Sequence, residues 1–311
     1  MNPILSVIIP YDNSSLETLN TSLTFIDNQL KVDWSKGKVE VVLLHNEDVE
    51  DVDTSAYPNV GQYIKSITLG GNDAERKQYA VNTSKAEYVT FLPIGAMFSS
   101  AIAIHNIIEN ITKHKKDVFF FQVIDEGKRD DQNNEKYRDQ KNDLVGKVFS
   151  TTFLAKNNIG FYGGISCYEE VAFSKLALAA NPQYYYSSSP AFLYTPPTAS
   201  YDIGEYLGSR INAEFAISVD NVRKTTYKVQ RELVALCHNT YYDLNTREVP
   251  QEVVEKSIAT LGKYIGQLSN IVLLTDLFNL DFTAMNITYT NVDGAETFDE
   301  FMKKVLEGTN E

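Results

Sequence analysis

The sequence predicts an α/β protein in two parts: a mostly parallel sheet flanked by helices over residues 1–205, then a mainly helical region over 206–311. Three observations carry that expectation. Ile4–Ile9 and Val39–Leu44 are unbroken apolar runs, the pattern of strands buried on both faces of a parallel sheet. Stretches of helical period alternate with such runs, as strand–helix–strand units require. Beyond Ser200 the apolar residues fall into three- and four-residue spacing.

The first strand, Ile4–Ile9, stops at Pro10, which cannot donate to a sheet ladder. Ser14 and Ser15 suit the cap of a helix running to about Leu30, with Leu16, Leu19, Leu23 and Ile26 on its apolar face. Val39–Leu44 forms the second strand and runs into His45-Asn46-Glu47-Asp48; Ile64–Leu69 forms a third, ended by Gly70-Gly71. Asp73–Lys85 reads as an amphipathic helix, and a fourth strand centred on Glu87–Leu92 enters Pro93-Ile94-Gly95-Ala96. Asp125–Asp143 has no apolar period and predicts an exposed, mobile excursion. Phe215–Leu236 predicts a helix, and Pro250 opens another that carries Val253, Val254, Ile258, Leu261, Ile265 and Leu268. Packing back on the sheet domain is the plainer role for this pair; presenting a face to a partner is the other. In the tail, NITYTNVDG from Asn286 suggests a strand and turn, followed by a short helix near Glu296–Leu306.

Bulk properties narrow the function. At 311 residues the chain accommodates one large domain with an appendage, or two domains. A net charge of −13 and a pI near 4.8 argue against a bare nucleic-acid backbone or an anionic membrane surface as partner. The same acidity is ordinary among soluble proteins. No basic-plus-apolar leader is visible, and no apolar run approaches the roughly 20 residues of a membrane-spanning helix. Cys167 and Cys237 lie far apart without metal-type spacing, which fits free thiols in a reducing compartment. A soluble, cytoplasmic protein is expected. Phosphate-loop, G-x-S-x-G and H-E-x-x-H motifs are absent, and His105, His114 and His238 show no ligand spacing.

In parallel α/β sheets ligands collect beyond the carboxyl ends of the strands. The residues to weigh are therefore Tyr11 and Asp12, His45 and Asn46, Gly70-Gly71, and Pro93–Ala96. Tyr11 can stack on a base, although strand-end tyrosines are more commonly packed. His45 can hydrogen-bond a base edge, although lone histidines are usually packed or capping residues. Gly70-Gly71 can admit a phosphate to backbone amides, but a Gly-Gly pair is first a turn.

These positions also carry a likeness. SVIIPYDNSSLETLNTSL from Ser6, VEVVLLHNED from Val39, RKQYAVNTSKAEYVTFL from Arg76, NNIGFYGGISCYEEVAFSKLAL from Asn157 and YYYSSSPAFLYTPPTAS from Tyr184 follow one another in the order of a known pattern. Together they resemble the family 2 glycosyltransferases, which have the GT-A nucleotide-sugar fold, over about the first 200 residues. The resemblance implies a UDP-type nucleotide-sugar donor contacted by Tyr11, Asp12, His45, Asn46 and Lys77. It also implies a carboxylate base at Glu170, beside Glu169. Lys77 stands at the family's arginine and Gln78 at its asparagine.

Two positions depart from the family pattern. His45 replaces an acid that contacts the nucleotide base, and Pro93-Ile94-Gly95-Ala96 replaces the acidic D-x-D pair that holds a divalent metal and the sugar diphosphate. None of those four residues has a side-chain oxygen for Mn or Mg. A metal-independent transferase needs cations at the leaving group instead; Arg76 and Lys77 are near in sequence, with a solvated helical face as their plainer role. Glu169-Glu170 can likewise simply open a helix.

The first functional reading is a glycosyltransferase-like pseudoenzyme without cofactor or metal site, a binding or structural component of an assembly that meets protein partners or its own copies. The alternative is an active inverting transferase that moves a sugar from a nucleotide sugar, with Mn or Mg, to a glycan, cell-wall or protein acceptor. A Rossmann-like binding module outside the family is the third. The Asn-, Lys- and Tyr-rich composition fits an AT-rich genome, of a low-GC bacterium or its phage; phage origin would make the protein virion-associated.

Overall fold

A computed structural model describes residues 2–129, 135–137, 144–165, 167–195, 202–219, 226–267 and 291–307. The chain divides into two units: Met1–Gly163 with Glu169–Ala199, and Gly164–Tyr168 with Ser200–Glu311.

The first unit is built on a nine-stranded sheet. Its strands are β1 (Leu5–Pro10), β2 (Val39–His45), β3 (Ile64–Thr68), β4 (Tyr88–Phe91), β5 (Ala96–Phe98), β6 (Val118–Arg129), β7 (Glu135–Tyr137), β8 (Lys147–Ser150) and β9 (Tyr184–Tyr194). They lie in the order β3-β2-β1-β4-β8-β6-β9-β5, with β7 paired to β6. β3, β2, β1 and β4 run parallel, β8 is antiparallel to β4 and β6, β9 is parallel to β6, and β5 is antiparallel to β9.

The unbroken apolar runs follow from burial on both faces. Leu5, Val7 and Ile9 of β1 and Val39, Val41 and Leu43 of β2 enter one core, while Ile8, Val42 and Leu44 enter the other. The first core is closed by α1 (Leu16–Asp27) through Leu19, Leu23 and Ile26, and by α3 (Ala103–His114) through Ile104, Ile107 and Ile111. The second is closed by α2 (Asp73–Thr83), α4 (Thr151–Lys156) and α5 (Glu169–Ala179), which contribute Ala74, Ala80, Val81, Phe153, Leu154, Phe173 and Ala177.

Several boundaries move. α1 stops at Asp27 because buried Gln29 turns its side chain to the α3 entrance, donating to the Ser100 carbonyl at 2.9 Å and accepting from the Ile104 amide at 3.0 Å. α2 ends at Thr83, since Ser84 is already extended. The polar stretch 125–143 is not one loop. β6 continues through it to Arg129 and β7 returns over 135–137, because the ladder is specified by backbone pairing, which polar side chains do not prevent. Residues 130–134 and 138–143 lie outside the described set.

The second unit has α6 (Ile203–Val219), α7 (Thr226–Thr246), α8 (Gln251–Gln267) and α9 (Phe298–Glu307). The stripe over 215–236 falls on α6 and α7, with residues 220–225 outside the described set. Leu207, Ile211, Val234, Tyr241, Leu261, Ile265, Phe298, Phe301 and Val305 form its core. Tyr241 pins the approach to α9, donating its hydroxyl to the Glu296 carbonyl at 2.7 Å and accepting from the Val292 amide at 3.0 Å. Cys237 is buried in this core, which pushes its thiol up to about 12. Leu268 and NITYTN, Asn286–Asn291, fall outside the described residues except for Asn291. No helix among the described residues is long and apolar enough to cross a membrane.

Candidate functional site

The carboxyl ends of β1, β2 and β3 meet at His45. Its ring is buried (1% exposed) and both nitrogens are engaged. Nδ1 donates to the Asn46 carbonyl at 2.9 Å. Nε2 lies 3.0 Å from Asp51 Oδ1, 2.9 Å from the Ser66 hydroxyl and 3.1 Å from the Thr68 hydroxyl. Tyr11, the residue after β1, tilts its ring against His45 at 4.9 Å and donates its hydroxyl to the Glu50 carbonyl at 3.2 Å. Burial, with the Asp51 charge, pushes that phenol up to about 12 against the hydrogen bond of Ser66. Tyr11 and His45 are thus packed against each other, while Asp12 and Asn46 stand beside them nearer solvent. Burial opposes ionisation of Asp12, but hydrogen bonds from Ser14 and Ser15 outweigh it and hold the carboxyl below its ordinary range. Asn46 accepts from the Glu47 amide at 3.0 Å.

The exit of β4 is equally compact. Ala96 donates its amide to the Pro93 carbonyl at 2.9 Å, Gly95 adopts φ +85°, and the chain passes directly into β5, where Ala96 pairs with Tyr194. A Cβ on Gly95 would run into the Thr195 carbonyl oxygen. Between this turn and Tyr11 the open space is about 10 Å³, bordered by Ser15, Leu19 and Ser22, which is room for about one water. The turn itself supplies no carboxylate. Among the described residues no three His, Cys, Asp or Glu side chains gather as a metal-binding group.

The charged centre of this unit lies on α2 and α5. Lys77 is 2% exposed and its Nζ donates to Glu169 Oε1 at 2.8 Å and to Glu170 Oε1 at 2.6 Å. The expected solvated position on a helical face therefore does not hold for Lys77. It falls three residues from both Ala74 and Ala80, on the buried stripe of α2. Its ammonium also stands 5.9 Å from the Phe161 ring. Burial disfavours the charge on Lys77, yet the Glu170 and Glu169 carboxylates prevail and hold the ammonium well above the usual lysine range. One ammonium is shared by two acids, and Glu169 is the deeper of them (side chains 10% and 27% exposed). Burial pushes the Glu169 carboxyl up, Lys77 opposes, and the Glu170 charge adds to the rise. Both acids sit in the first turn of α5, where the helix dipole also favours negative charge.

The segment before α5 is tied to α2 by two residues whose part in the site the sequence pattern does not single out. Gln78 Oε1 accepts from the Phe161 amide at 2.6 Å, and the α2 cap Asn72 donates its side-chain amide to the Gly163 carbonyl. Gln78 stands at the family's asparagine in the resemblance, which says nothing of this contact, and Asn72 caps α2 in a capping box with Glu75. Arg76 is turned away from this cluster, pairing with Asp73 and donating to the Gly71 carbonyl at 2.6 Å.

The strand order, the helices on both faces and the helical C-terminal part together define a GT-A-like fold, the architecture of nucleotide-sugar transferases. Among solved structures the chain is similar to residues 1–349 of S. aureus TarS, with a TM-score of 0.63 and 15% identity over 99% of this chain and 90% of that one. The same TarS segment in complex with UDP-GlcNAc gives 0.65 and 16% over 99% and 91%, and in complex with UDP 0.64 and 16% over 99% and 90%. At such identity the likeness is one of fold. No protein-family model matches the chain, and no curated protein matches it.

Proposed function

We propose that this chain is a nucleotide-sugar-transferase-like protein that does not carry out metal-dependent sugar transfer and serves as a binding or structural component, engaging a protein partner or further copies of itself. The observation that carries the reading is Lys77, held between Glu169 and Glu170. A carboxylate that must take a proton from an acceptor hydroxyl needs a free lone pair directed at it; here the nearest oxygens of both acids are committed to a buried ammonium. The narrow space beside Tyr11 and the lack of a side-chain oxygen at Pro93–Ala96 support the same reading. TarS has been solved with UDP-GlcNAc and with UDP, so these are the probes to use. Calorimetry with each, with and without manganese, is expected to show no metal-enhanced binding. A manganese-dependent gain in affinity would overturn the proposal.

One feature favours the alternative, an active inverting transferase. Glu170 keeps 27% of its side chain exposed, and only its Oε1 is bonded to Lys77. If Glu170 is the base, sugar release from UDP-GlcNAc is measurable in the native protein and is abolished in Glu170→Gln while UDP binding survives. Absence of turnover in the native protein removes this alternative for that donor.

A further inference from the structure

The chain has a net charge of −13, yet one cleft of about 510 Å³ gathers lysines from three places in the fold. Lys31 and Lys36 come from the turns after α1, Lys38 immediately precedes β2, and Lys113 lies in the last turn of α3. Half-buried Val32 and Ile108 supply apolar wall. The cleft's acids are Asp33 and Glu109. Asp33 is taken by Lys36 at 2.9 Å, and Glu109 lies 3.9 Å from His105. Among the described residues Lys31, Lys38 and Lys113 make no ion pair. The dipole at the end of α3 favours Lys113 there; it accounts for neither Lys31 nor Lys38.

Like charges lining one concavity repel, and the arrangement gains from an anion that neutralises several at once. The volume falls within the range of about 300–1,000 Å³ typical of small-ligand sites. Its concave form suits a compact ligand better than a polymer, which would be tracked by an extended basic stripe. The site is also remote from His45, and its Ile108 wall packs on the first core, whereas the helix that carries Lys77 packs on the second. Lys38 carries the carbonyl that accepts from the Ile4 and Leu5 amides, at the amino ends of β1 and β2. His45 lies at the opposite end of β2, about 20 Å along the strand. We propose that this cleft binds a small phosphate-bearing anion at the amino ends of the strands. The inference is independent of whether sugar transfer occurs.

Inorganic pyrophosphate is the probe, titrated calorimetrically into the full chain. Saturable binding is expected, weakened by about tenfold in the double variant Lys38→Gln/Lys113→Gln, which removes two exposed charges. A matched control, Lys85→Gln/Lys156→Gln, removes the same charge from exposed positions outside the cleft and is expected to bind as the native chain does. Co-sedimentation with phosphatidylglycerol vesicles separates a free ligand from a lipid headgroup. No saturable pyrophosphate binding, equal weakening in the two double variants, or vesicle binding without pyrophosphate binding would each overturn the proposal.

Discussion

Replacing Lys77 by methionine tests the buried charge cluster directly. Methionine keeps a long unbranched side chain on the buried stripe of α2 but removes the ammonium that Glu169 and Glu170 share. Breaking a buried pair from one side costs about 3–5 kcal/mol, because the remaining charge is left without compensation. With a urea slope of about 2–3 kcal/mol/M, the midpoint falls by about 1–2.5 M. Trp34 is the one tryptophan in the sequence and packs in the first core, so its fluorescence reports the first unit alone.

The pH dependence sharpens the test. Lys77 has its folded value raised above the ordinary 10.5, so its contribution is complete below 10.5 and is lost only as pH rises through the raised value. Titration of this lysine therefore adds no pH dependence to native stability near neutrality. Glu169 is raised above 4.5, so folding favours its protonated form; that preference is full below 4.5 and is lost as pH rises through the folded value. Without Lys77 the carboxyl rises further. The deficit of Lys77→Met is then large at neutral pH and shrinks as pH falls through the raised Glu169 value, where that carboxyl takes up a proton. Glu169→Gln, which leaves Lys77 matched one-to-one with Glu170, stays within about 1 kcal/mol of the native protein. A native-like midpoint for Lys77→Met, a deficit that does not change with pH, or an equal loss in Glu169→Gln would each refute the reasoning.

Three further substitutions probe how the site is held, each read from the Trp34 urea midpoint. Gly95→Ala should cost about 1–3 kcal/mol, since φ +85° and the Thr195 carbonyl both exclude a Cβ; a neutral result would mean the turn after β4 can rearrange. Asp27→Ala should cost about 1–3 kcal/mol, because its buried carboxylate accepts from the Asn59 amide at 2.8 Å and the buried Val60 amide at 2.9 Å; an unchanged midpoint would show that these bonds are dispensable. Asn72→Ala should cost about 1 kcal/mol through loss of the α2 cap, and an unchanged midpoint would show that the tie to Gly163 and the cap are both dispensable.

What the sequence reveals and what it hides divide along physical lines. β1 and β2 are legible because each strand feeds two cores, leaving no polar position to interrupt the apolar run. β6 beyond Asp125 is not, because its partner there, β7, supplies backbone pairing that composition does not record. His45 is legible as a strand-end residue, but its enclosure is not: Asp51 reaches it from the segment after β2, and Ser66 and Thr68 from β3. Lys77 and Glu169 lie 92 residues apart, and neither alone signals the other.

A local clue to Lys77 nevertheless existed. Ala74, Ala80 and Val81 define the buried stripe of a short helix, and the residue midway between Ala74 and Ala80 must point inward with them. A lysine there requires compensating acid, and the chain offers two adjacent acids opening α5. One carboxylate is sufficient to compensate one buried ammonium, so two acids exceed what the burial of Lys77 requires. A Glu169→Gln variant that keeps the native midpoint therefore shows that burial of Lys77 needs only one of the two acids, whereas a large loss shows that both are held by packing.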